Sequence, residues 1–561
     1  ISPYPVGASV SGNRIQTYVL DINGMVSEGS LQLTIGYSGK EYRSETMERL
    51  AGMIRQALQE VIGHCLEKEK PELTPSDVLL KGLTVEELEQ LVEQTGRIGE
   101  LEDVYKLTPM QKGMLFHSQL EPDSAAYFEQ VTFELRGSLN VEAIVQSFDS
   151  LMERHAALRT NFYTARGDLP VQVVFRNKKL ENHYEDLSGM NEVQREAYFA
   201  AYAEKDKTRG FDLAQDSLMR VAIFHKEEER YWLLWSFHHI IMDGWCIPLV
   251  TNEVFDTYAA MEQGRKLEPA PAQPYSQYIK WLEQRNEAEA SRYWSKYLEG
   301  YDQQPVLPQG KAEDKTAEDK ATARAPEQLV RDLGRDLTQR LDEVAKQHQA
   351  TVNTLLQVAW GMLLQSYNGI QDVVFGSVVS GRPAEIPGIE SIIGLFINTI
   401  PVRIRTEESD TVADVIRRTQ EQSLASHAYD TYPLYEIQAQ TEQKQQLITH
   451  IMVFENYPVE QQMEQSGSGQ TDLEINVVNL FEQTNYPFDV VVVPGEEMKI
   501  IFRYNGSIYN GGTVERIGNH LVRLIEQFTA NPSIRVRDLE LATEAEKIQI
   551  LEHFNDTAAE Y

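Results

Sequence analysis

The sequence has only two cysteines, Cys65 and Cys246, in 561 residues, too few for the disulfide framework that staples secreted scaffolds. Basic residues are scarce as well. The 52 Lys and Arg against 85 Asp and Glu give a net charge of −33, a field that repels phosphate backbones and anionic lipid surfaces, so nucleic acid is not expected as a partner. No run approaches the roughly 18 apolar residues of a membrane span, and no apolar leader precedes the first polar residues. The expectation is a cytoplasmic chain with no membrane partner. What the chain does have is length and apolar content: 561 residues exceed the roughly 250–300 over which one core keeps growing, and 42% hydrophobic residues suffice for two or more core-bearing units.

Chemistry concentrates at His238-His239-Ile240-Ile241-Met242-Asp243-Gly244-Trp245. The preceding run, Tyr231 to Phe237, is aromatic and apolar and is entered from the charged Lys226 to Arg230, which reads as a buried strand closed by the histidines. Successive strand side chains point to opposite faces, so the two imidazoles cannot share one pocket; one is expected to work while the other braces. The same geometry argues against a metal site, because adjacent strand histidines rarely share an ion and Asp243 is the one other nearby ligand. Cys246 is close by, but no sequence neighbour would lower its pKa, so no nucleophilic role is expected for it.

A weak internal repeat suggests the boundaries. Leu31, Leu33, Ile35 and Tyr37 alternate as a strand before Ser38-Gly39, and Met498, Ile500, Phe502 and Tyr504 alternate likewise before Asn505-Gly506. Each strand leads into a helix, with Met47, Leu50, Ile54, Leu58 and Val61 in one and Val514, Ile517, Leu521, Ile525 and Phe528 in the other. If the later copy ends a domain near Asn531-Pro532, the earlier one, ending near Lys70-Pro71, ends a different domain whose body lies upstream. Thr84 to Leu91 is predicted as a short capped helix, and the complete domain is expected to start near Leu101. Within it, Gly310 to Glu327 reads as a solvated loop. Strands at 127–135, 169–175, 372–379 and 399–404 alternate with helices at 141–155 and 351–366, a mixed α/β pattern.

These residues resemble the condensation domains of nonribosomal peptide synthetases, whose hallmark is His-His, three residues, then Asp-Gly, here His238, His239, Asp243 and Gly244. The neighbouring segments agree in order. Leu107 to Met114 and Arg154 to Phe162 precede the histidines; Tyr275 to Trp281, Ser380-Gly381-Arg382-Pro383, Ile393 to Thr399, His427 to Glu436 and Val453 to Pro458 follow them. The likeness covers residues 101–540, with lobes expected at 101–274 and 275–540. Residues 1–85 look like the C-terminal tail of an epimerization domain, 86–100 like a linker, and 541–561 like the lead into an adenylation domain. The resemblance implies a mixed α+β fold of two chloramphenicol acetyltransferase-like lobes in a V with the active site between them.

It also implies peptide bond formation between an upstream carrier-bound peptidyl thioester and the amine of a downstream carrier-bound aminoacyl thioester. Partner carrier domains would supply phosphopantetheine, and the chain itself would hold no covalent cofactor. An epimerization tail directly upstream implies a donor ending in a D-residue. An α-amino group with a pKa of about 8 is mostly protonated near neutral pH, and an imidazole near 6.5 can accept its proton. By resemblance that imidazole is His239, as general base or as positioning group. His238 is expected to brace the turn, Asp243 to form a structural ion pair with Arg159, and Gly244 to let the backbone approach the substrate. Trp245, Ser380, Asn398 and Thr399 complete the expected substrate-binding set. The alternatives are a second epimerization enzyme, which needs a further acidic residue in the opposite lobe, and a non-catalytic docking relative.

Overall fold

Residues 18–27, 29–67, 72–120, 124–165, 169–265, 271–310, 326–455 and 473–554 are described by the computed structural model. Lys70-Pro71, most of the charged stretch Gly310 to Glu327, Asn456-Tyr457-Pro458 and the end of segment 541–561 lie outside the described residues. Contacts divide the chain between Thr74 and Pro75. No helix among the described residues is long and apolar enough to cross a membrane.

The first unit is an antiparallel hairpin, Leu20–Ser27 with Ser30–Tyr37, followed by the helix Ser44–Glu67. The same strand, strand, helix order recurs as Phe488–Val493, Lys499–Asn505 and Gly511–Ala530. Even the register corresponds: Leu20 faces Tyr37 as Phe488 faces Tyr504. The repeat is therefore one strand longer than the sequence pattern revealed. Its cover differs between copies. Val514, Ile517, Leu521, Ile525 and Phe528 are all buried, whereas in the first helix only Met47 is buried and Val61 is 60% exposed.

Among the described residues the second unit holds two large separate apolar cores with smaller clusters beside them, in line with the two or more core-bearing units expected from its length and apolar content. One core joins Phe148, Leu233, Trp235, Phe237 and Val254; the other joins Leu356, Trp360, Phe375, Val490, Phe502 and Leu521. The first lobe contains a five-stranded sheet in the order Glu474–Glu482, Phe128–Arg136, Arg230–His238, Met219–Glu227, Glu181–Asp186. Beside it are the three strands Glu100–Lys106, Leu169–Arg176 and Thr160–Ala165. The second lobe is a six-stranded sheet in the order Pro326–Asp332, Lys499–Asn505, Phe488–Val493, Ile451–Phe454, Asp372–Val379, Asn398–Arg405. Helices Gly334–Gln347, Val352–Asn368 and Gly511–Ala530 contribute the apolar residues that share its core. The mixed α/β class and the two lobes are as expected.

Two boundaries differ from the expectation. Residues 75–85, expected with the tail, and 86–100, expected as a linker, both belong to the second unit: the helix Val85–Thr95 carries the Thr84–Glu87 capping box, its Leu88 and Leu91 are buried, and Leu80 N–H donates to Val104 O at 2.7 Å. The apolar side of this short helix needs cover, and the strand Glu100–Lys106 is its neighbour. The lobes also do not divide cleanly near residue 274. Glu474–Glu482, from the C-terminal half, crosses over to pair antiparallel with Phe128–Arg136 in the first-lobe sheet.

Candidate active site

The strand Arg230–His238 delivers both histidines to the lobe boundary and stops there. His238 N–H donates to Leu218 O at 3.0 Å, and His239, opening a 3₁₀ turn, donates its N–H to Tyr127 O at 2.8 Å. Tyr127 has a left-handed backbone, φ 66°, and donates its own N–H to Gln483 O at 2.7 Å, so one strained residue ties the histidine turn to the crossing segment. His238 Nδ1 accepts the Ile240 N–H at 3.1 Å, and burial, aided by His239, lowers its pKa to about 3. It is a neutral brace at physiological pH. His239 is arranged differently: Nδ1 lies 2.7 Å from Met242 O, and since a carbonyl only accepts, Nδ1 carries a proton, which makes Nε2 the basic nitrogen of the neutral ring.

The two rings line different cavities. His238 borders one of about 730 Å³ with Phe128, Phe211 and Arg503. His239 borders one of about 120 Å³ together with Asp243, Gly244, Trp245, Ser380, Arg382 and Thr399. Glu482, Thr484, Asn485 and Tyr486 of the crossing segment border both.

Asp243 does not pair with Arg159. Its Oδ1 accepts from Arg382 Nη2 at 3.2 Å, its Oδ2 accepts the Phe396 N–H at 2.9 Å, and its own N–H donates to Gly394 O at 3.3 Å. Arg159 is occupied elsewhere, donating to Met152 O at 2.8 Å, to Glu102 at 2.6 Å and to Phe175 O. The physical reason is placement: Arg159, just before the strand Thr160–Ala165, is held by a helix-end carbonyl, a sheet carbonyl and the Glu102 carboxylate, while Asp243 faces the second lobe. Gly381, with φ +60°, makes the approach possible, because a Cβ there would collide with the Phe396 carbonyl. Cys246 packs against the same pair, its Sγ 3.3 Å from Arg382 and 3.4 Å from Asp243 Oδ1; burial and that carboxylate push the thiol up to about 12, which leaves it inert.

The opening motif also acts on the histidine turn. Gln111, in a reciprocal cap with Thr108, donates its amide to Ile240 O at 3.1 Å and to Gln172 Oε1 at 3.3 Å. Asn398, expected at the substrate, borders neither cavity; its amide donates to Asp430 O at 2.8 Å and Tyr432 O at 2.9 Å, tying down the loop that follows His427. Trp245 donates its indole N–H to Glu390 O at 3.3 Å while lining the smaller cavity.

Sequence reasoning missed a charged cluster around His239. Glu129 Oε1 lies 4.0 Å from His239 Nε2, and Arg503 donates to Glu482 at 2.5 Å. Burial, then the neighbouring Glu482, pushes the Glu129 carboxyl well above the usual carboxylate range. Although burial works against it, Arg503 and then His239 draw Glu482 below that range. One ligand atom each from Glu129, His239 and Glu482 lies within 4.8 Å of the others. Asp243, the one neighbouring ligand expected from sequence, is held by Arg382, and two distant carboxyls approach His239 in its place. Arg503 already supplies a fixed positive charge to this cluster. The one available signal was Glu129 itself, an acid inside the apolar strand that pairs with the histidine strand.

A family model described as Condensation domain matches residues 2–83 and 101–551. One component of the mycosubtilin synthase of Bacillus subtilis is 50% identical over 561 residues, covering 100% of this chain and 21% of that protein. Bacitracin synthase 1 of Bacillus licheniformis is 35% identical over 565 residues, covering 100% of this chain and 11% of that protein. The chain thus spans only a small part of these curated relatives. Among solved structures, the first condensation domain of the calcium-dependent antibiotic synthetase in complex with substrate analogue 2a has a TM-score of 0.62 at 18% identity, over 78% of this chain and 100% of that one. With the histidine turn, its lobe contacts and the surrounding motifs all inside the matched residues, the chain belongs to the condensation-domain family of nonribosomal peptide synthetases.

Proposed function

We propose that the chain forms a peptide bond between two carrier-bound substrates. The amine of the downstream aminoacyl thioester attacks the carbonyl of the upstream peptidyl thioester; the N–C bond forms, the C–S bond breaks, and a thiol leaves. One observation carries this reading: His239 Nε2 is made the basic nitrogen by the bond from Nδ1 to Met242 O, and its ring borders a cavity lined from both lobes. A nitrogen so placed can accept or orient the amine proton, help typically worth roughly 10²–10⁴-fold. The partners are an upstream donor and a downstream acceptor carrier domain, which bring the phosphopantetheine arms as part of the substrates.

The donor peptide ends in a D-residue on this reading. Support comes from the first unit, whose hairpin and helix repeat the later element and whose residues match the same family, as a piece of a second member lying upstream would. That member is read as an epimerization domain, and the segment after residue 540 as the approach to an adenylation domain.

Epimerization by this chain is the second reading, favoured by the carboxyls of Glu129 and Glu482 near His239. It needs a carboxyl that exchanges a proton with the substrate α-carbon. Glu482 is held by Arg503, and Glu129 borders neither cavity, so condensation is preferred. The test loads the donor carrier with a peptide ending in a D- or an L-residue and offers a loaded acceptor. Faster amide formation from the D-donor is expected. Equal rates would remove the stereochemical assignment, and inversion without an amide would favour the epimerization reading.

A further inference from the structure

We propose that Glu129 is a positioning residue for condensation: its buried carboxylate faces the basic Nε2 of His239 and holds the imidazolium as it forms. The inference rests on the reading of His239 as the group that takes the amine's proton. Glu129 is paired in register with Phe237, the residue before His238, so the sheet itself aims it at the end of the histidine strand. It is 4% exposed, its Oε1 lies 4.0 Å from Nε2, and it borders neither cavity, so it acts through the imidazole and not on the substrate.

The neighbouring charges divide the labour. Glu482, on the crossing strand, is bonded to Arg503 and also feels His239; Glu129 approaches His239 Nε2 at 4.0 Å without a basic partner of its own in that contact. Glu482, Arg503 and Glu455 are the charged groups that act on Glu129, two acids that resist its ionisation and one base that favours it. Burial and the two acids outweigh Arg503 and place its ionisation well above the usual carboxylate range, so the anion becomes available only as pH rises from acid.

The step balances. As the N–C bond forms, a proton passes from the amine to Nε2; as the C–S bond breaks, the imidazolium returns it to sulfur, leaving amide and thiol. Glu129 gains and loses nothing and supplies the counter-charge. An imidazolium formed in a buried place without such a counter-charge is disfavoured.

Glu129→Gln, the isostere of the protonated acid, and Glu129→Asp test this in single-turnover amide formation across pH with loaded carriers. Glu129→Gln is expected to lower the rate about 10–100-fold, at or below the lower end of the range of acid–base assistance, with carrier KM unchanged and the acid limb of the pH profile shifted. Glu129→Asp should restore part of the rate with a shifted limb. A wild-type rate and profile in Glu129→Gln would overturn the proposal, as would a pH-independent loss that leaves the limb in place. Should the Gln variant fail to fold, an unshifted limb in Glu129→Asp overturns it and a shifted limb sustains it. His239→Ala separates the two levels: if it is inactive while Glu129→Gln is normal, only the Glu129 role falls; if it is fully active, the His239 reading falls with it.

Discussion

Asp243, at the end of the histidine turn, and Arg382, on the second lobe, form a buried ion pair with Oδ1 3.2 Å from Nη2 and side chains 1% and 5% exposed. Through this pair the hallmark aspartate fastens one lobe to the other. Removing either partner leaves an uncompensated buried charge, expected to cost about 3–5 kcal/mol. In a double-mutant cycle read by urea denaturation, Asp243→Ala and Arg382→Ala should be strongly non-additive. Asp243→Ala and Arg159→Ala, with no shared partner, should add within about 0.5 kcal/mol. Strong coupling to Arg159 would contradict this assignment.

Gly381 is the backbone condition for that pair. Gly381→Ala places a Cβ in a left-handed residue against the Phe396 carbonyl, so a loss of at least about 1–2 kcal/mol is expected in thermal unfolding, with slower amide formation as Arg382 shifts. An unchanged midpoint would show that the lobes close without this contact.

Gln111 supports the histidine turn from the opening motif. Gln111→Leu leaves the Ile240 carbonyl without that donor and is expected to cost about 1–3 kcal/mol. Amide formation should fall with it, since Ile240 directly follows His239. A folded variant of normal stability and rate would remove Gln111 from the site.

Burial lowers both His238 and His450 to a pKa of about 3, against about 6.5 when unfolded. Between these values the unfolded chain binds a proton that the folded chain does not. Stability is therefore lost progressively as pH falls from about 6.5 toward 3, with a slope on the order of 1 kcal/mol per pH unit for each histidine. His450 isolates the effect, because it accepts the Trp360 indole N–H at 2.9 Å and borders neither cavity. His450→Gln should flatten the pH dependence of the unfolding midpoint over that window; an equal slope would contradict the assignment.

Local signals in the sequence carried much of this architecture. The apolar run before His238 is a strand, Thr84 and Glu87 form the predicted cap, and the alternation at Leu31 and Ile500 belongs to one repeated element. Pairings between distant segments carried no such signal. Alternation gives the faces of Glu474–Glu482 but not its sheet, so the crossover was hidden, and with it the meeting of Glu129, Glu482 and Arg503 from three strands. Arg159 and Arg382 both lay in motifs, and only the fold decides which reaches Asp243. Asn398 looks like a substrate contact in sequence, whereas loop carbonyls hold its amide.

The most direct measurement is a single-turnover reaction between loaded donor and acceptor carriers, with the mass and chirality of the product determined. The expected result is a new amide with the donor residue's configuration unchanged, suppressed roughly 10²–10⁴-fold by His239→Ala in a folded variant. Inversion of the donor residue with no new amide, or a wild-type rate in that variant, would contradict condensation at His239.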